Sequence, residues 1–154
     1  GHLDAAIAAT PLEDEKIKEI VLYYEPFVAY FPENHHSFQK EEIEVGDIDV
    51  ENLLLLQDGH CFRDGILNLC KNTNNSESST LLPYLHTLDL KEKDKVKLRH
   101  FKDPKPSREV SLIFPKSELK IHIIDALRQV IAGVVKGAIV FQNVQIISPL
   151  SKKP

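Results

Sequence analysis

Short apolar runs separated by polar stretches predict strands along the first third of the chain. Residues 3–9 are typical of a short buried strand, and residues 11–19 of an acidic loop. Residues 20–31 are rich in β-branched and aromatic side chains, and Pro26 divides them into two predicted strand pieces, because proline cannot donate to a strand ladder. Residues 53–56 form a further candidate for a buried strand. This part of the chain is therefore predicted to supply most of a sheet.

Polar segments and prolines divide the second half. Residues 71–79 have no apolar anchor and predict a loop, while the alternating charges of residues 91–102 are typical of a solvated face. Pro104 and Pro106 stiffen an extended approach to a strand predicted at residues 109–114.

An apolar stripe then predicts an amphipathic helix that begins after Ser117 and stops near Gly133. The apolar residues among 134–147 predict one or two further strands. This alternation of strands and helices predicts an α/β domain with mostly parallel strands. The predicted stripe consists of Leu119, Ile123, Leu127, Val130, Ile131 and Val134.

Composition limits the classes of function. With 154 residues, 42% of them hydrophobic and 27% charged, the chain can form one domain with a sizeable core. A net charge of −4 supplies no basic stripe, so this segment is not expected to grip nucleic acid by itself. Its apolar runs are too short to span a membrane, and its first residues do not predict a signal peptide. Two cysteines give no secreted disulfide framework, so a cytoplasmic location is expected.

The two cysteines carry the candidate chemistry. Cys61 follows His60, precedes Arg63 and Asp64, and lies nine positions before Cys70. If the segment is helical, Cys61 lies near the helix start, where the dipole favours a thiolate, and Cys70 lies on the apolar face. An intact helix would separate the two residues by roughly 13 Å along its axis, whereas a disulfide tolerates about 4.4–6.8 Å between Cα atoms. A disulfide between them would therefore require the segment to unwind.

Spacing alone leaves three interpretations open. The cysteines could be a redox pair, or ordinary buried side chains, since free cysteine is among the most buried residue types. A zinc site from Cys61, Cys70, His60, His35 and His36 is the weakest interpretation, because structural zinc sites bring closely spaced ligand pairs. The two neighbouring histidines are more typical of a solvated loop than of a ligand or pH sensor. No metal and no cofactor are therefore predicted.

A longer match favours the redox interpretation. Residues 53–64, followed by Cys70, resemble the redox segment of OxyR, the peroxide-sensing branch of the LysR-type transcription regulators. The resemblance is specific because both cysteines and their spacing agree. Shorter matches follow in the family's order at residues 3–7, 25–26, 80–83 and 108–114.

The resemblance implies a periplasmic-binding-protein-like effector domain, built from two α/β subdomains that are joined by two crossing strands. The crossings would fall near residues 23–27 and 108–111. Residues 25–108 would form the second subdomain, and residues 1–24 and 109–154 what remains of the first. The family's DNA-binding domain and its first βα units have no counterpart in this sequence, so the first subdomain is expected to be truncated.

The resemblance also implies roles for single residues. Cys61 matches the peroxidatic thiolate and Cys70 its resolving partner. The expected function is a hydrogen peroxide sensor of a transcription regulator, which switches by a reversible disulfide that refolds the intervening segment. Peroxide is consumed stoichiometrically as a signal, so no enzyme activity is expected. The thiolate and peroxide environment would be shaped by His60, Arg63, Asp64 and Arg108.

Two other functions remain open: a LysR-type domain that binds a small metabolite without redox switching, and a thiol peroxidase. Arg63 with Asp64 could be a surface ion pair, and Arg108 a hinge salt bridge. The implied partners are hydrogen peroxide, cellular thiol reductants, and further copies in a homodimer or homotetramer. Promoter DNA and RNA polymerase would be reached only through the full-length protein, and no membrane contact is expected.

Overall fold

A computed structural model describes residues 3–49, 53–54, 79–118, 120–135 and 144–147. Two 3₁₀ turns are formed by His36–Gln39 and Val45–Asp47. The helices and strands follow in the order β1 (Ala6–Thr10), β2 (Ile17–Tyr30), β3 (Glu42–Ile43), β4 (Thr80–Pro83), α1 (Tyr84–Thr87), α2 (Glu92–Lys95), β5 (Leu98–Phe101), β6 (Lys105–Pro115), α3 (Ile121–Val135) and β7 (Val144–Ile146).

The long strand β2 takes part in two sheets. Its first part pairs antiparallel with β6 as far as Pro26, and from Phe27 onward it pairs antiparallel with β4 and β5. β1 and β7 extend the first sheet along β6, and β3 extends the second along β5. The prediction of two strand pieces was wrong, because Pro26 marks a change of partner within one strand. At this crossing Glu25 pairs with Arg108 across the strands, while the subdomain limits at these residues stay a prediction.

The prediction of mostly parallel strands was also wrong for the described part of the chain. There β2 pairs antiparallel with β4, β5 and β6, and β1 pairs antiparallel with β6. The parallel pairs are β3 with β5 and β6 with β7. The physical reason is that the two crossing strands, β2 and β6, run in opposite directions, and that β1, β4 and β5 each pair antiparallel with one of them. Local periodicity does not specify the direction of a distant neighbour.

Two apolar clusters lie on either side of the crossing. The larger one belongs to the second sheet and includes Phe31, Ile43 and Phe101, each at most 1% exposed. In the smaller one Ile124 of α3 packs against Leu112 and Phe114 of β6. β2 contributes apolar side chains to both clusters and so connects them.

Helix α3 confirms the predicted helix but not its predicted face. Ile124 is 3% exposed, whereas Ile123, Leu127, Val130 and Val134 are between 41% and 74% exposed. The helix also continues through Gly133 to Val135, past the predicted stop. Most of the described residues of the predicted stripe therefore face solvent, while Ile131 is half-buried.

Two strand boundaries differ from prediction because their neighbours are distant in sequence. β1 begins at Ala6, and Ile7 is 54% exposed, because among the described residues only β6 pairs with this strand. β6 begins at Lys105 because its first three residues pair with β7. β7 itself confirms one strand in the apolar segment 134–147.

The polar loop with two histidines buries one of them, contrary to prediction. His35 is 3% exposed, and its ring stacks on Phe31 with centroids 4.2 Å apart. Its Nδ1 accepts a hydrogen bond from the Ser37 backbone N–H at 3.0 Å and so caps the first 3₁₀ turn. A solvated pair was therefore the wrong interpretation for His35, whereas His36 is exposed as predicted.

The described helices include none with both the length and the apolar character that a membrane crossing requires.

Candidate hinge and redox site

The structure places one of the predicted site residues. Arg108 lies on β6 at the crossing of the two sheets. The helix predicted around the cysteines lies outside the described residues. The same holds for the other predicted site residues, which are His60, Cys61, Arg63, Asp64 and Cys70.

Arg108 forms an ion pair with Glu25, its neighbour across the strands. Its Nε donates to Glu25 Oε2 at 2.7 Å, and its Nη2 lies 2.7 Å from the same oxygen. The Glu25 side chain is 0% exposed and that of Arg108 is 18% exposed. A buried carboxylate requires such compensation, because transfer of a charge out of water is costly. The hinge salt bridge considered for Arg108 is therefore present.

The second oxygen of Glu25 contacts the backbone. Glu25 Oε1 accepts a hydrogen bond from the Leu85 N–H of α1 at 2.8 Å. One carboxylate thus connects β2, β6 and α1. Sequence reasoning missed this role, although the single acidic residue within the apolar segment 20–31 was a signal, since a buried charge needs a partner.

Tyr23 lies two residues before Glu25, on the same face of β2. Burial raises the pKa of its phenol, and the Glu25 carboxylate raises it further, while Arg108 acts in the opposite direction. The site therefore favours a neutral phenol beside the ion pair.

Replacing Tyr23 with phenylalanine is expected to make the protein less sensitive to alkali. Because the folded-state pKa is raised, the phenol stabilises the fold below its unfolded pKa of about 10, and this contribution is lost as pH rises through the folded pKa. Urea unfolding of parent and Tyr23→Phe at about pH 8 and about pH 11 measures the difference. A difference between the two proteins that stays constant with pH would contradict the prediction.

A polar network lies on the face of β6 opposite to Arg108. Thr10 and Ser111 are both 0% exposed, and their hydroxyl oxygens lie 2.5 Å apart. Thr10 Oγ1 also donates to Glu109 Oε1 at 2.8 Å. Burial and a hydrogen bond with Glu109 raise the pKa of Tyr24. The edge strand β1 is thereby fixed to β6 by side chains as well as by its backbone.

An open cleft of about 580 Å³ lies near β3. Lys40 pairs with Asp47 at 2.6 Å and Lys102 with Glu44 at 2.9 Å, while Glu41 and Glu42 give the lining an excess of negative charge. Within the described ranges, no group of three or more His, Cys, Asp or Glu side chains is placed to hold a metal ion.

A family comparison identifies the domain. Residues 1–77 match the family described as the LysR substrate binding domain, and these residues are half of the chain. The chain belongs to this family. Both Cys61 and Cys70 lie in the matched half of this LysR substrate-binding domain.

Similar proteins narrow the branch of the family. The domain is 29% identical over 157 residues to the hydrogen peroxide-inducible genes activator of Pectobacterium carotovorum subsp. carotovorum, an alignment that covers 86% of this chain and 52% of the relative. It is 32% identical over 135 residues to the probable hydrogen peroxide-inducible genes activator of Mycobacterium leprae, covering 74% of this chain and 43% of the relative. The chain thus spans about half the length of the curated relatives it matches.

Solved structures agree with the sequence relatives. Reduced OxyR from Porphyromonas gingivalis superposes with a TM-score of 0.80 at 25% identity, covering 95% of this chain and 77% of that one. The predicted resemblance to OxyR regulatory domains is confirmed. The predicted α/β, periplasmic-binding-protein-like fold is confirmed as well, and this chain forms part of such a domain.

Proposed function

We propose that this LysR substrate-binding domain is the hydrogen peroxide-sensing regulatory domain of a transcription regulator. One observation carries the proposal: a pair of cysteines lies in the family-matched half of a chain whose relatives are named hydrogen peroxide-inducible genes activators. The peroxide chemistry belongs to Cys61 and Cys70. The domain acts as a sensor and not as an enzyme.

The proposed chemistry has two steps. The Cys61 thiolate attacks one oxygen of hydrogen peroxide, the O–O bond breaks, and the departing oxygen leaves as water after protonation, which yields a sulfenic acid. The Cys70 thiol then attacks the sulfenic sulfur and releases a second water as the disulfide forms. Cellular thiol reductants reverse the disulfide by exchange, so one peroxide molecule gives one switching event.

Positive charge supports the first step, because the thiolate is the nucleophile. In the proposal, His60, Arg63 and Asp64 are close to Cys61 in sequence and shape the environment of its thiolate, and Arg108 approaches from the hinge. The position of Arg108 at the crossing of the two sheets supports a role that connects thiol chemistry with the hinge.

The disulfide is proposed to refold residues 61–70, because a helix holds these positions too far apart for a bond. That change would alter the packing of a homodimer or homotetramer and so reach promoter DNA and RNA polymerase through the full-length protein. A cytoplasmic location, where thiol reductants reverse the disulfide, belongs to the same proposal.

Mass spectrometry before and after a peroxide pulse tests this function directly. The parent is expected to gain a Cys61–Cys70 linkage that dithiothreitol removes. Cys70→Ser should stop at a sulfenic acid on Cys61, which a dimedone probe traps, and Cys61→Ser should lose the fast reaction because the activated thiolate is gone.

Each single variant is the control for the other, since both replace one cysteine with serine and differ only in position. Fast oxidation of Cys61→Ser at Cys70 would transfer the peroxidatic role to the other thiol. Sustained peroxide turnover by the parent with a reductant would instead favour a thiol peroxidase.

A further inference from the structure

His35 closes the 3₁₀ turn His36–Gln39 with its side chain. Its Nδ1 accepts a hydrogen bond from the Ser37 backbone N–H at 3.0 Å, in the place that an asparagine or aspartate oxygen commonly takes at helix starts. Ser37 is 0% exposed and His35 is 3% exposed. Water therefore cannot replace this acceptor while the turn stays closed.

This hydrogen bond requires a neutral imidazole. Nδ1 accepts only when it carries no proton, whereas both ring nitrogens of a charged histidine are donors. A proton on Nδ1 would bring two donors, Nδ1–H and the Ser37 N–H, against each other. The ring also stacks on Phe31 with centroids 4.2 Å apart, and burial at such an apolar position disfavours the charged form. The closed turn therefore binds a proton on His35 less readily than an open turn does.

A titratable side chain, His36, stacks on His35 with ring centroids 4.4 Å apart. A charge on this exposed ring opposes a second charge on His35, because like charges at this distance repel. Beyond His36, Lys40 and Asp47 pair at 2.6 Å. Although burial acts in the opposite direction, the pKa of Asp47 is lowered by the Glu44 N–H, by Lys40 and by His36. Asp47 thus favours a charge on His36, which makes a second charge on His35 less favourable still.

The closed turn is connected to β5. The Phe38 carbonyl accepts the Nε–H of Arg99 at 3.0 Å, and the guanidinium lies 4.8 Å from the centre of the Phe38 ring. The Lys40 N–H closes the end of the turn on the Ser37 carbonyl at 3.2 Å. Opening the turn at His35 would therefore release a contact with the second sheet.

We propose that His35 is an acid-sensitive latch on this turn. The neutral ring holds His36–Gln39 closed against β5, and a proton from solvent that binds Nδ1 opens the turn. In the open turn, the imidazole titrates near its ordinary value of about 6.5. The closed turn is therefore fully stable above about pH 6.5 and loses stability as the pH falls below this value, because the open form binds the proton more readily.

Amide hydrogen exchange of the chain at about pH 7.5 and about pH 5.5 tests the latch. The protection factor of the Ser37 amide corrects for the effect of pH on exchange chemistry itself. It is expected to fall about tenfold, the change produced when the open form alone binds one proton. The Phe31 amide, which donates to the Lys97 carbonyl at 3.0 Å, should keep its protection and so show that the opening is local.

His35→Asn is the matched variant, because asparagine supplies a capping oxygen that does not titrate. Its Ser37 protection factor should be the same at both pH values. His36→Asn is the control, since it removes the exposed ring and keeps the latch, so the fall should persist. A tenfold fall in His35→Asn would overturn the inference, as would constant protection in the parent or in His36→Asn.

Nitrogen-15 spectra of the histidine rings give a second test on the parent if His35→Asn does not fold. At about pH 7.5 the His35 ring is expected to be neutral, with its proton on Nε2 and an accepting Nδ1. A proton on Nδ1 at this pH would overturn the inference. So would a charged His35 ring at lower pH in a protein whose Ser37 amide is still protected.

Discussion

Replacing Arg108 with alanine is expected to lower the free energy of unfolding by about 3–5 kcal/mol, the range for breaking one side of a buried ion pair. The loss is large because the Glu25 side chain is 0% exposed and would lose its ion-pair partner without gaining water in its place. Its remaining hydrogen bond from Leu85 compensates only part of the cost. Urea unfolding at neutral pH measures the change.

Arg128→Ala is the matched control, since it removes the same side chain from another ion pair. Arg128 and Asp125 are 41% and 50% exposed, so water already screens their interaction. The loss in this variant should be much smaller than in Arg108→Ala. Equal losses would show that the burial of Glu25 does not determine the energetics of the hinge.

Replacing Ile124 with alanine is expected to cost about 2–5 kcal/mol of unfolding free energy, as is typical of truncating a large buried aliphatic side chain. Ile124 is 3% exposed and belongs to the cluster with Leu112 and Phe114. The substitution removes apolar burial and leaves a cavity between α3 and β6. Chemical denaturation with circular dichroism at the helix band measures it.

The neighbouring Ile123→Ala is the control, with an identical chemical change one residue away. Ile123 is 63% exposed, so the expected change lies within about 0.5 kcal/mol. If Ile123→Ala were the more destabilising of the two, the face that α3 presents to β6 would be the adjacent one, which carries Ile123.

The helix α3 shows what periodicity can and cannot predict. Its existence follows from apolar residues at helical spacing, and the structure confirms it. Its buried face does not follow, because isoleucines at 123 and 124 start two apolar stripes on adjacent faces. The choice between them depends on the packing of α3 against Leu112 and Phe114 of β6. A short connection links β6 to α3, but the orientation of β6 is set by its pairing within the whole sheet.

The crossing was predicted less completely than the helix. Pro26 correctly drew attention to a change in β2, but the change is one of neighbours, which depends on the positions of β4 and β6. Arg108 entered through the family resemblance, whereas Glu25 required the fold to show its partner. A sequence indicates that a buried acid needs compensation, and only the assembled strands determine which cation supplies it.

The thiol part of the candidate site depends on the sequence and the relatives. The family match and the cysteine spacing support the proposed roles of Cys61 and Cys70 in a redox pair. The segment that carries both residues lies outside the described part of the chain. Local patterns can suggest a helix there, but the distance between two thiols depends on tertiary packing.

Because one unbroken strand, β2, belongs to both sheets, the two halves of the domain cannot slide apart along it without stretching covalent backbone. An extended strand is close to its maximum length, whereas the twist between neighbouring strands varies from about −10° to −35° among sheets. Any motion that passes through this crossing is therefore expected to be torsional, and a few degrees of added twist between β2 and β6 would give larger displacements at the far edges of the sheets.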